Sequence, residues 1–241
     1  MKYGVEHWRR NRGRCMGALY WQLNDCWPVA SWSSIDYFGR WKALHYFAKK
    51  FYDPILLSIE ESDTSAKVFV TNDTFTDVNG RVVWKLRNNK SEIIESGTID
   101  IMVDSLAARE IAALDFSEHL DGKLIHETYL EAKLYINDLF YGNSTVIFTK
   151  PKHYVFLNPE LNAAVKETDT QFQITITSAA FAKYVEVSLS LDAVLSDNYF
   201  DVSAGEMKVL TVDKKELPSE MTTIDLEKLI QLRSVYNIAQ V

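Results

Sequence analysis

Hydrolysis, redox chemistry and metal binding each need particular side chains at particular spacings, and this sequence supplies few of them. Its histidines are His7, His45, His119, His126 and His153. None accompanies a Gly-x-Ser-x-Gly elbow or a cysteine in a known catalytic spacing, so a nucleophile-and-base triad finds no support. There is no His-x-x-x-His or Cys-x-x-Cys pair for zinc and no calcium loop of alternating acids. The glycines never gather into a phosphate-cradling run. Cys15 and Cys26 make neither a disulfide framework nor a metal site and read as buried or half-buried thiols. No metal or cofactor is therefore expected. What remains is a short stretch in which indoles are interspersed with polar groups: Trp21, Gln22, Asn24, Asp25, Trp27 and Trp32. Flat indole faces match the axial C–H faces of sugars, while amides and carboxylates exchange hydrogen bonds with hydroxyls. The plainer reading, that these aromatics fill a core, stands beside it.

The elements that must position those groups change character along the chain. The 241 residues suffice for one large domain or two modest ones, at roughly 100–200 residues each. A hydrophobic fraction of 47% against 24% charged is that of a folded globular chain. The net charge of −7 argues against a nucleic-acid binder, which needs clustered Lys and Arg. No run approaches the roughly 18 apolar residues of a membrane span. The opening Met1–Arg10 has no apolar h-region and does not read as a secretory signal. Five tryptophans (Trp8, Trp21, Trp27, Trp32, Trp41) lie before a boundary near Asp53-Pro54, and only Trp84 lies after it. Before the boundary, residues 3–12 suit the end of a helix stopped near Gly13. Gly17–Leu23 suits a strand buried on both faces. Arg40–Phe51 suits a helix, with Trp41, Leu44, Phe47, Ala48 and Phe51 recurring at three and four. That order is one unit of an α/β architecture.

After the boundary the period becomes two. Lys67–Val70, Val82–Leu86 and Leu130–Ile136 alternate as half-buried strands do, and turn signals such as Asn79-Gly80 and Asp121-Gly122 separate them. Strands at intervals of about ten residues predict an antiparallel, immunoglobulin-like sandwich over 53–150, with Trp84 as its core tryptophan. Gln171–Thr177, Val185–Leu191 and Lys208–Val212 repeat the pattern and predict a second sandwich over 153–241. Its last stretch, Ile224–Ala239, is ambiguous between helix and strand, with Leu226, Leu229 and Ile230 fitting a short helical turn.

The run Gly17-Ala18-Leu19-Tyr20-Trp21-Gln22-Leu23-Asn24-Asp25-Cys26-Trp27-Pro28, continuing through Ser31–Lys42, resembles the last strand and loop of the catalytic barrel in β-mannosidases of glycoside hydrolase family 2. Asp197-Asn198-Tyr199-Phe200-Asp201, followed by Gly205-Glu206, is similar to a turn of the terminal sandwich in that family. The resemblance implies a mainly β chain. Residues 1–52 would be the terminal helix–strand–helix of a (β/α)₈ barrel, followed by two tandem immunoglobulin-like sandwiches. It also implies removal of terminal β-linked mannose by a retaining mechanism that uses two carboxylates about 5–5.5 Å apart. In the family both glutamates sit on earlier strands, one of them after an asparagine. This chain has no Asn-Glu dipeptide and supplies one strand of a barrel that needs eight. The chain alone is therefore expected to be inactive, supplying accessory sandwiches and part of a sugar-subsite wall.

Trp21 matches the tryptophan that forms part of that subsite's floor, while Asn24 and Asp25 would line the pocket or brace it. The partner implied is a β-mannoside or other glycan. Apart from the rest of a barrel, Leu19, Trp21, Leu44, Phe47 and Phe51 would face water, each worth roughly 1.5–3 kcal/mol if buried. Residues 1–52 are thus expected to dock on the first sandwich or to pair with a second copy. The alternatives are a carbohydrate-binding module, a purely structural pair of sandwiches, and a related family 2 activity such as β-galactosidase or β-glucuronidase.

Overall fold

From Ile55 onward the segments with period-two patterning become strands, and Lys67–Val70, Val82–Leu86 and Gln171–Thr177 bury alternate side chains against a facing sheet. The structure, a computed structural model, describes residues 1–239. It divides into two units, residues 1–20 with 48–155, and residues 21–47 with 156 onward. Residues 1–52 therefore do not stand as a body of their own but are shared between the units. Among the described residues no helix is long and apolar enough to cross a membrane.

In the first unit, β1 (Ile55–Ser62), β2 (Ser65–Asn72), β3 (Val78–Asn88), β4 (Ile93–Val103), β5 (Ala107–Asp115), β6 (Thr128–Ile136) and β7 (Leu139–Ile147) form two antiparallel sheets. Their orders are β1-β2-β5 and β4-β3-β6-β7. Val68 and Val70 from one sheet and Val82, Leu86, Leu130 and Leu134 from the other are fully buried. Trp84 lies in this core, as its position in an early strand predicts. Its cross-strand neighbours are Gly97 and Ala132, and a Cβ added at Gly97 would stand 2.7 Å from the indole. Two small residues thus make room for one large ring, which meets Phe116 edge-on at 5.8 Å. Helix α1 (Lys2–Arg10) packs on β2 and β5 with Val5 fully buried. Arg9 ties it down, donating Nη1 to the Phe51 carbonyl at 2.7 Å and Nη2 to Asp73 at 2.9 Å, and Arg12 pairs with the same carboxylate. Helix α2 (Ala43–Phe51) gives its residues from Ala48 to this unit, where Phe51 is buried.

One local expectation fails: Gly17–Leu23 is not a strand. A strand buried on both faces needs hydrogen-bonding neighbours along its edges. Here backbone N–H groups of Ser34 and Ile35 meet only the carbonyls at its end, Gln22 and Leu23, no strand lies along it among the described residues, and Leu19 and Trp21 stand 84% and 75% exposed. Of the other side chains expected to face water, Leu44 and Phe47 are half-buried.

In the second unit, β8 (Asn162–Glu167), β9 (Gln171–Thr177), β10 (Ala182–Leu189), β11 (Phe200–Val202), β12 (Met207–Asp213) and β13 (Ile230–Arg233) form two antiparallel sheets ordered β12-β9-β8 and β11-β10-β13. Phe172, Ile174 and Ile176, which the sequence puts on one face, are all buried there. The ambiguous last stretch is both things in turn. Helix α3 (Thr223–Leu229) is capped by Thr222, whose Oγ1 accepts the Asp225 N–H at 3.2 Å; β13 and α4 (Val235–Ala239) follow.

Candidate functional site

The aromatic stretch Trp21–Lys42 belongs to the second unit and is held by a miniature ladder. Ile35 is its middle rung, bridging Asn24 in parallel and Trp41 antiparallel. The Ile35 N–H donates to the Leu23 carbonyl at 2.8 Å, and the Asp25 N–H to the Ile35 carbonyl at 3.1 Å. Asp36 closes the turn after it, accepting the N–H groups of Phe38 and Arg40 at 2.9 Å each while Gly39 takes a positive φ. The Trp21–Gln22 peptide is cis.

Within this frame Asp25 is buried, and its carboxylate turns inward. It accepts from the Ser31 hydroxyl, from Ser33 Oγ at 2.7 Å and from Lys42 Nζ at 3.2 Å, and Lys42 also donates to Ser33 Oγ at 2.7 Å. The two hydroxyls, and then Lys42, hold the Asp25 carboxyl below the usual carboxylate range. A second brace lies beside it. Ser34, fully buried, donates Oγ to the Leu23 carbonyl at 2.9 Å, and His45 Nδ1 stands 3.0 Å away. With the hydroxyl proton directed to Leu23, Nδ1 is the donor of that second bond. Burial lowers the His45 pKa from the ordinary histidine value, which favours the neutral ring.

The three predicted site residues therefore separate. Trp21 and Asn24 are exposed, the latter donating its amide to the Asp25 carbonyl at 3.2 Å, and Asp25 is a brace beneath them. Trp27 and Trp32 are exposed as well, at 64% and 80%. Such a surface can stack on a sugar ring and hydrogen-bond its hydroxyls. It does not carry the paired carboxylates of a glycosidase, since the acids of the loop, Asp25 and Asp36, bond to hydroxyls, backbone N–H groups and cations. Among the described residues no cluster of three or more metal-ligating side chains occurs. Ser31, Ser33, Ser34, Lys42 and His45 were not legible as site residues. The available signal was a lone lysine and three serines close after an aspartate in an otherwise aromatic stretch.

The second motif, Asp197–Asp201, is a clamp. Asn198 is buried, with Oδ1 accepting the Val187 N–H at 2.9 Å and Nδ2 donating to the Val187 carbonyl at 2.8 Å, so its amide serves β10 as a strand partner would. Asp201 Oδ1 accepts the Tyr184 N–H at 2.7 Å, and its Oδ2 pairs with the buried Lys183 at 3.2 Å. Tyr184 and Tyr199 both take left-handed backbone angles, φ 51° and 54°. Both rings pack against Phe47 of α2, at 5.5 and 6.3 Å. Burial, and the hydrogen bond that the Tyr199 hydroxyl gives Glu186 at 2.9 Å, push that phenol's pKa up.

Two family models match, a mannosidase Ig/CBM-like domain over residues 64–153 and an Ig-fold domain over residues 156–238. β-Mannosidase A of Aspergillus clavatus is 32% identical over 197 residues, covering 73% of this chain and 21% of that protein. The β-mannosidase of Capra hircus is 49% identical over 71 residues, covering 26% of this chain and 8% of that protein. The crystal structure of the β-D-mannosidase from Dictyoglomus thermophilum superposes with a TM-score of 0.83 at 25% identity, over 97% of this chain and 28% of that one. The chain belongs to the C-terminal part of the glycoside hydrolase family 2 β-mannosidases. It is mainly β and carries the two immunoglobulin-like domains of that family in tandem. It spans between 8% and 21% of the length of these two curated relatives.

Proposed function

We propose that this chain is the accessory, non-catalytic part of an enzyme that removes terminal β-linked mannose. In this reading residues 1–52 derive from the last β/α unit of the catalytic barrel. Trp21 and Asn24 supply part of the sugar-subsite wall, and the Asp25–Ser33–Lys42 network holds that wall in place. The observation that carries it is the exposed Trp21 indole on a loop whose polar groups are internally satisfied, in a chain without a glycosidase carboxylate pair on that loop. Retention of anomeric configuration would belong to the glutamates of the longer enzyme. The exposed apolar side chains of residues 1–52 would draw a second copy onto this segment when the chain is alone.

A chromogenic β-mannoside tests the assignment. The isolated chain should show no turnover above background, and robust turnover lost on Asp25→Asn overturns the reading. In a longer enzyme that contains these residues, Trp21→Ala should lower kcat/KM by roughly 10–100-fold, the value of one buried aromatic face. A second reading, a glycan-binding module, draws on the exposure of Trp27 and Trp32. It requires a glycan titration whose signal disappears with Trp27→Ala or Trp32→Ala.

A further inference from the structure

The second unit contains a cleft of about 450 Å³, bounded on one side by Val187, Asn198 and Tyr199 of the clamp and on the other by Phe38–Trp41 and Tyr46. That size falls in the roughly 300–1,000 Å³ range of small-molecule sites and has room for a short oligosaccharide. We infer that this cleft binds a neutral saccharide. The choice of mannose units as the ligand rests on the function proposed above, whereas the preference for a neutral, hydroxyl-rich ligand comes from the cleft itself.

Its floor and one wall are aromatic. Tyr46 is buried, Trp41 meets it edge-on with ring centroids 5.2 Å apart, and Phe38 stands 65% exposed at the mouth. These faces suit the C–H surface of a pyranose ring better than a flexible polar chain. The rim is rich in acceptors. Glu216 spends one oxygen on the Val194 N–H at 2.7 Å, which fixes the loop bearing Asp192. The Asp192 side chain is 72% exposed and is reached by Arg40 at 3.9 Å. Arg40 is itself committed to Asp36, donating Nε at 2.6 Å. The cleft thus presents three carboxylates, Asp192, Glu216 and a Glu186 held by Arg233 and the Tyr199 hydroxyl, and one guanidinium already shared between two acids. Carboxylates accept from sugar hydroxyls and repel anions, so a phosphate or a uronic acid is the wrong ligand.

The test titrates the whole chain with mannobiose while following amide shifts by NMR, with the corresponding diuronic acid as control. Saturable binding with a Kd on the order of 1 mM is expected, as suits a shallow site of few contacts. Shifts should centre on Phe38–Trp41 and Val187–Leu195, and the diuronic acid should give none. Phe38→Ala and Asp192→Ala are both at exposed positions and should leave the fold intact. Each should weaken binding by roughly fivefold or more, while Trp21→Ala leaves it unchanged. No saturation into tens of millimolar overturns the inference, as does equal binding of the diuronic acid. Binding lost with Trp21→Ala but kept with Phe38→Ala and Asp192→Ala also overturns it, and would leave the proposed subsite wall standing. The reverse pattern, cleft binding together with a Trp21→Ala enzyme of full activity, would sink the wall alone.

Discussion

Replacing Asn198 by alanine removes a side chain that acts as backbone. Its amide satisfies both the N–H and the carbonyl of Val187, at 2.9 and 2.8 Å, at a residue only 2% exposed. A buried backbone group left without a partner costs about 1–3 kcal/mol, and two are stranded here. Partial entry of water at a position 6% exposed offsets some of this, leaving a loss of about 2–4 kcal/mol. The effect should be confined to the unit that holds β10. The reporters are therefore the amides of Ile174, Ile176 and Val212, which lie in its core. Where these exchange by unfolding of the unit, hydrogen exchange should accelerate roughly 30- to 800-fold. The Val187 amide itself should lose protection by at least as much. Asn198→Asp keeps an acceptor for the Val187 N–H but turns a carboxylate oxygen toward the Val187 carbonyl, so protection at the N–H should partly survive. Unchanged exchange at the three core amides in Asn198→Ala would show that the clamp is ornamental and refute the reasoning.

Further predictions concern packing and charge. Gly97→Ala, a change that ordinarily favours a strand by about 0.5–1 kcal/mol, should instead destabilise the first unit by about 1–2 kcal/mol, because the new methyl lands 2.7 Å from the Trp84 ring. Thermal unfolding should show the loss, and Trp84→Phe in the same chain should recover part of it; a raised midpoint would contradict the packing. Asp25 has a folded pKa below its unfolded value of about 3.9, so its contribution is present above that pH and disappears as pH falls through the folded value. The amide signals of Ser33 and Lys42 should therefore stay put from pH 7 to pH 5 and move only below about pH 4. Asp25→Asn should abolish that step, and movement near pH 6 would assign the loop's order to another group.

Much of this architecture is legible in the amino-acid sequence. Period-two segments such as Gln171–Thr177 carry their burial in their order, since alternate side chains must face opposite ways and one side is apolar. Trp84 could be placed in a core for the same reason, although its accommodation by Gly97 and Ala132 needed the register of three strands. The terminal Ile224–Ala239 was not legible because each of its elements is too short to establish a period.

The site divided along the same line. Residue types alone marked Trp21–Trp32 as a stretch able to meet a sugar, because stacking and hydrogen-bonding capacity belong to the side chains themselves. Direction does not. Whether Asp25 faces a ligand or its own loop depended on Ser31, Ser33 and Lys42 closing around it, six to seventeen residues away. Gly17–Leu23 shows the limit most plainly. Its apolar run suits a buried strand, but strand formation is a property of a pair of segments, and hydrogen-bonding partners are supplied by tertiary structure rather than by the run itself. The cleft beside Tyr46 likewise exists only because residues 38–46 and β10, far apart in the chain, fold into one unit.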